Sequence, residues 1–74
     1  MLLENKLRTM RVDRGWTQED LARAVGVTRQ TIHAIEKGGY EPSVRLALEL
    51  ARAFGASVDD VFWLVRAKGE KSLT

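Results

Sequence analysis

Apolar positions along the chain fall at helical spacing, in short blocks separated by glycine. In the first block, from about Glu4 to Arg14, Leu3, Leu7 and Met10 share one face and Gly15 is the stop. The second block opens at Thr17, whose hydroxyl can cap the N–H of Asp20 while Asp20 reaches back toward the Thr17 N–H. Trp16 and Leu21 have the spacing of a hydrophobic staple, and Gly26 ends the block because glycine enters the left-handed conformation without a Cβ penalty. The third block repeats this grammar. Thr28 is the cap, Val27 and Ile32 the staple, Ile32 and Ile35 the inward residues, and Gly38-Gly39 the end. After a Tyr40-Glu41-Pro42 loop, Ser43 caps a fourth helix over about Val44 to Phe54, with Ala47, Leu50, Ala51 and Phe54 as its stripe and Gly55 after it. Ser57 opens a very short fifth helix, and Asp60 completes a second capping box.

From Phe62 the pattern changes. Phe62-Trp63-Leu64-Val65 is aromatic and β-branched, which predicts a short strand. Its partner within the chain is Leu2-Leu3. The fold class expected is all-α, five helices with a small two-stranded antiparallel ribbon from the two ends. Alternate side chains of a strand point to opposite faces, so Phe62, Trp63, Leu64 and Val65 cannot all enter one core. One face is expected to meet a second subunit and make a homodimer. The chain therefore divides into a domain over residues 1–67, with the C-terminal strand and dimerisation segment at residues 62–66, and a flexible polar tail over residues 68–74.

Composition narrows the function. The sequence has 74 residues, 45% of them hydrophobic and 30% charged, as in one small globular domain. It has no cysteine and one histidine, which excludes a disulfide framework and predicts no metal site. No apolar run approaches the roughly 20 residues that span a bilayer, and the charged start predicts no signal peptide, so a cytoplasmic protein is expected. The net charge of +2 permits nucleic-acid binding without requiring it. There is no nucleophile–base pattern, no paired-carboxylate geometry, no phosphate-cradling glycine loop and no zinc spacing. An enzyme, and any cofactor, is not expected.

The second and third blocks carry the sharpest signal. They are joined by Gly26-Val27-Thr28, a turn short enough to force a steep crossing. Ala22, four residues before Gly26, allows close approach, and Ile32, six residues after it, plugs the core beneath. Together these predict a helix-turn-helix over residues 17–37. The stretches Gly15-Trp16-Thr17-Gln18-Glu19-Asp20-Leu21-Ala22, Val25-Gly26-Val27-Thr28-Arg29-Gln30-Thr31-Ile32 and Ile35-Glu36-Lys37-Gly38 resemble the phage Cro and cI repressor family, also called the xenobiotic-response-element family. Tyr40-Glu41-Pro42-Ser43 and Phe54 through Phe62 extend the likeness. It is strongest to the short stand-alone members that resemble the cytolysin-operon repressor of enterococci.

The resemblance implies a five-helix lambda-repressor-like domain, a C-terminal strand paired with the N-terminus, a homodimer, and a third helix that enters the major groove of double-stranded DNA. On that helix it implies base reading by Arg29 and Gln30, which match two base-reading glutamines. Arginine donates twice to guanine, and glutamine pairs with adenine. Ala34 replaces a third reader and is small enough to touch a thymine methyl. His33 lies on the same face, as a DNA contact or a solvated residue. Gln18 matches a phosphate-contacting glutamine, with Thr17, Thr28, Lys37 and Tyr40 as further phosphate ligands. Arg11 and Glu36 match a structural ion pair that braces the first and third helices. Arg8, Arg14, Arg23, Arg45 and Arg52 are expected to be solvated. The function expected is a transcriptional regulator, a dimeric repressor on a pseudo-palindromic operator. The alternative is a protein-interaction module whose Phe62–Val65 edge binds an additional protein partner.

Overall fold

A computed structural model describes residues 1–69. The tail expected over residues 68–74 therefore lies mostly outside the described residues. In chain order the elements are β1 (Leu2–Asn5), α1 (Leu7–Asp13), α2 (Gln18–Val25), α3 (Arg29–Lys37), α4 (Val44–Ala53), α5 (Val58–Val61) and β2 (Phe62–Val65).

Helices α2, α3 and α4 each start where the N-cap side chain accepts from a free backbone N–H. Thr17 and Asp20 form the reciprocal box: Asp20 N–H donates to Thr17 Oγ1 at 3.0 Å and Thr17 N–H to Asp20 Oδ2 at 2.8 Å. Thr28 Oγ1 accepts from Thr31 N–H at 3.2 Å, and Ser43 Oγ from Leu46 N–H at 3.1 Å. At α5 the Asp60 carboxylate accepts from both the Ser57 N–H and the Ser57 hydroxyl.

The first helix departs from expectation. It begins at Leu7 rather than near Glu4, because residues 2–5 are extended and paired with β2. Asn5 makes the transition. Its Oδ1 accepts from Leu7 N–H at 3.0 Å, and its Nδ2 donates to the Ile35 carbonyl at 3.0 Å, tying the ribbon to the end of α3. At its other end α4 stops at Ala53, one residue early, with Phe54 as its C-cap.

The core is assembled from every helix and from β2. Leu7, Leu21, Ile32, Ile35, Leu50 and Val61 are fully buried, and Phe54 and Phe62 join them. Burying each aliphatic side chain of this size contributes about 1.5–3 kcal/mol. Arg14 is exposed, as expected, and in addition donates to the Phe54 carbonyl at 2.8 Å and lies over both the Trp16 and Phe54 rings, which stack with centroids 5.1 Å apart. A guanidinium gains from two aromatic faces and an otherwise free carbonyl at a helix end.

The ribbon is antiparallel, with Leu2 opposite Val65, Leu3 opposite Leu64, Glu4 opposite Trp63 and Asn5 opposite Phe62. Paired residues share a face, so Asn5, Phe62, Leu3 and Leu64 form one face, and Leu2, Val65, Glu4 and Trp63 the other. Phe62 is only 7% exposed and belongs to the core of its own chain. Of the four residues expected at an interface, it is the one packed into the core of its own chain. Leu64, two positions further along the same face, has run past the core and is 61% exposed.

Candidate nucleic-acid interface

The interface is built from α2, the corner after it, and α3. Gly26 has φ 75° and ψ 32°, the left-handed conformation, and Val27 N–H returns to the Ala22 carbonyl at 3.0 Å. This closes α2 within one residue and lets Thr28 start α3 at once. Ala22 is buried at the crossing, and Ile32 is buried on the inner side of α3. The geometry is a helix-turn-helix.

With Ile32 and Ile35 turned into the core, the remaining positions of α3 are fixed by the helical period. Arg29, Gln30, His33 and Lys37 are exposed, and Ala34 is half-buried at their margin. At about 100° per residue these five positions occupy roughly 140° of the helix circumference. Arg29, Gln30 and Lys37 have no hydrogen-bond or ion-pair partner among the described residues. Five donors of a guanidinium and both ends of an amide thus face outward from a rigid support.

Beneath that surface lies a polar network. Arg11, on α1, meets Glu36, on α3, side-on: Nε donates to Oε2 at 2.8 Å and Nη2 to Oε1 at 3.2 Å. The Arg11 Nη1 donates to the Trp16 carbonyl at 2.7 Å. The Glu36 side chain is 3% exposed and that of Arg11 11%. The carboxylate raises the Arg11 pKa above its ordinary value, chiefly through these hydrogen bonds and despite partial burial. Among the described residues no buried side-chain nitrogen or oxygen lacks a partner. Pairing Glu36 inward also removes its charge from the outer face of α3.

Gln18, expected from the sequence only as a phosphate contact, also joins this network. Its Nε2 donates to Glu36 Oε1 at 3.1 Å and lies 3.3 Å from His33 Nδ1. The amide nitrogen is thus turned toward α3. No local pattern marks this contact, because Gln18 and His33 lie on different helices. The hydroxyls of Thr17 and Thr28 cap their helices and remain at the exposed rim, and Tyr40 is exposed in the loop after α3. Among the described residues, no helix is long and apolar enough to cross a membrane.

Comparison with known proteins places this geometry. The model of the helix-turn-helix family HTH_3 matches residues 7–61. The chain is 52% identical over 62 residues to the HTH-type transcriptional regulator YgzD of Bacillus subtilis, covering 84% of this chain and 94% of that one. It is 32% identical over 60 residues to the cryptic phage CTXphi transcriptional repressor RstR of Vibrio cholerae, covering 81% of this chain and 54% of that one. The crystal structure of the clp gene regulator ClgR from Corynebacterium glutamicum superposes with a TM-score of 0.69 at 39% identity, covering 73% of this chain and 57% of that one. This chain thus spans just over half the length of the last two. With the left-handed glycine corner, the buried Ala22 and Ile32 and the cationic outer face of α3 all inside the matched segment, the chain belongs to the HTH_3 helix-turn-helix family, transcriptional regulators of the xenobiotic-response-element type with a DNA-binding domain.

Proposed function

We propose that the protein is a homodimeric repressor that places α3 of each subunit in successive major grooves of a pseudo-palindromic operator. The carrying observation is the outer face of α3: Arg29, Gln30 and Lys37 are exposed and unpartnered among the described residues, on a helix whose opposite face is locked into the core. In this reading Arg29, Gln30, His33 and Ala34 face base edges. Thr17, Thr28, Lys37 and Tyr40 meet phosphates, and Gln18 does so through its main-chain N–H at the start of α2. The second subunit packs on the ribbon. Trp63 and Leu64 are exposed large hydrophobics on opposite faces of β2, Leu2 is exposed beside them on β1, and Val65 is half-buried.

Two-fold symmetry implies inverted half-sites about 34 Å apart, one turn of the double helix. Selection of bound sites from random duplex DNA tests the reading, with the mass of the complex giving the stoichiometry. Inverted half-sites at that spacing are expected. Arg29→Ala and Gln30→Ala should flatten the preference at separate positions. Lys37→Ala should weaken all sequences about equally and lower the salt slope by about 1. If the first two changes together left the preference intact, α3 would not be the reading helix.

A further inference from the structure

We infer that Gln18 is a positioning residue that fixes which nitrogen of His33 carries the ring proton, so that His33 presents an Nε2–H donor outward. The chain of hydrogen bonds begins at Arg11. Its guanidinium donates to both oxygens of Glu36, so this carboxylate has only lone pairs left to offer. Whatever approaches Glu36 Oε1 must therefore donate. Of the two ends of the Gln18 amide, only the nitrogen can do so, which settles the orientation of the amide. A carbonyl there would set oxygen against oxygen.

The same nitrogen lies 3.3 Å from His33 Nδ1. An amide nitrogen has two protons and no available lone pair. One proton goes to Glu36, so the second is the one aimed at the ring, and His33 Nδ1 must accept it. The proton of the neutral imidazole then resides on Nε2. A buried ion pair sets the tautomer of an exposed ring two residues removed from it along the hydrogen-bond chain.

For DNA reading, which rests on the function proposed above, this has a direct consequence. A donor is matched by guanine N7 and O6, adenine N7 and thymine O4, and is repelled by the amino group of cytosine. His33 should therefore select against cytosine at the base it faces. Gln18, in turn, affects that selection without touching the DNA through its side chain.

The chain has a single histidine, so its two ring nitrogens can be observed without ambiguity. Long-range proton–nitrogen NMR spectra of the free protein, at about pH 9 where an ordinary imidazole is neutral, should show Nδ1 unprotonated and Nε2 protonated. In Gln18→Met, similar in length but without amide protons, the two resonances should move toward each other as the second tautomer becomes populated. A proton on Nδ1 in the unaltered protein, or resonances unmoved by Gln18→Met, would overturn the role of Gln18. Site selection provides a separate arm. The unaltered protein should exclude cytosine at one position of each half-site, and His33→Ala should lose that exclusion while keeping the rest of the motif. Exclusion that survives His33→Ala overturns His33 as its reader. Failure of the unaltered protein to select any motif would instead count against the proposed function, while the NMR result would still decide the role of Gln18.

Discussion

The α2–α3 unit and the β1–β2 ribbon differ in how much of their chemistry is completed within one chain. In the α2–α3 unit the buried polar groups are paired, and Ala22, Ile32 and Ile35 are closed off from water. The groups left over are cations and amides that water solvates well. The ribbon leaves the opposite remainder. Only its Phe62 is buried, whereas Leu2, Trp63 and Leu64 stand in solvent. A polar excess on a rigid helix fits a charged partner, and an apolar excess on a short ribbon fits a second copy of the same surface.

The first way to break this comparison is to remove the anchor of the polar region. Glu36→Ala strands the Arg11 guanidinium in a nearly closed site, and losing one member of such a pair costs about 3–5 kcal/mol. Urea unfolding should show a correspondingly lower midpoint with an unchanged slope. A change below about 1 kcal/mol, the range of exposed pairs, would mean that the network is solvated and does not brace the helices.

The ribbon is expected to respond differently. Trp63→Ser combined with Leu64→Ser changes exposed side chains, so the helical circular dichroism signal should persist. The mass in solution should fall to about half that of the unaltered protein, as a symmetric pair separates. An unaltered protein that is already monomeric would leave the strip to a different protein.

The smallest effect concerns the caps. Asp20 is held below the ordinary carboxylate range, chiefly by the Thr17 N–H, and Asp60 chiefly by the Ser57 hydroxyl. A depressed carboxylate contributes stability that is fully present above its ordinary value, about 3.9, and is lost as pH falls through the lowered one. Urea midpoints recorded from about pH 5 down to about pH 2 should therefore decline, and Asp20→Asn should make that decline shallower. An identical decline in Asp20→Asn would exclude this cap as a contributor.

Much of the fold was legible because it is written locally. A cap, a staple and a terminal glycine lie within a few residues of one another, so Thr17–Asp20, Thr28, Ser43 and Gly26 could be placed from spacing alone. β2 was legible for a related reason, since Phe62-Trp63-Leu64-Val65 breaks the helical period. What escaped was tertiary. Arg14 reaches the carbonyl of Phe54, forty residues away, and Gln18 reaches His33 across the helix crossing. Such contacts leave no periodic trace, because each residue alone reads as an ordinary surface polar group. The late start of α1 has in part the same origin: Glu4 suits a helix locally, and pairing with Trp63 overrides that preference, while Asn5 caps the Leu7 N–H from just before the helix.

The pairing of Leu2 with Val65 also bears on the order of folding. It joins positions near opposite ends of the described chain, and closing so long a loop carries an entropic cost that local contacts avoid. The helices, held by neighbours in sequence, are expected to form first and to bring the two strands within reach. Leu64 and Trp63 then acquire their final arrangement only on a chain whose helices are already assembled. Self-association through that strip would act as a maturation check, admitting finished subunits and passing over incomplete ones.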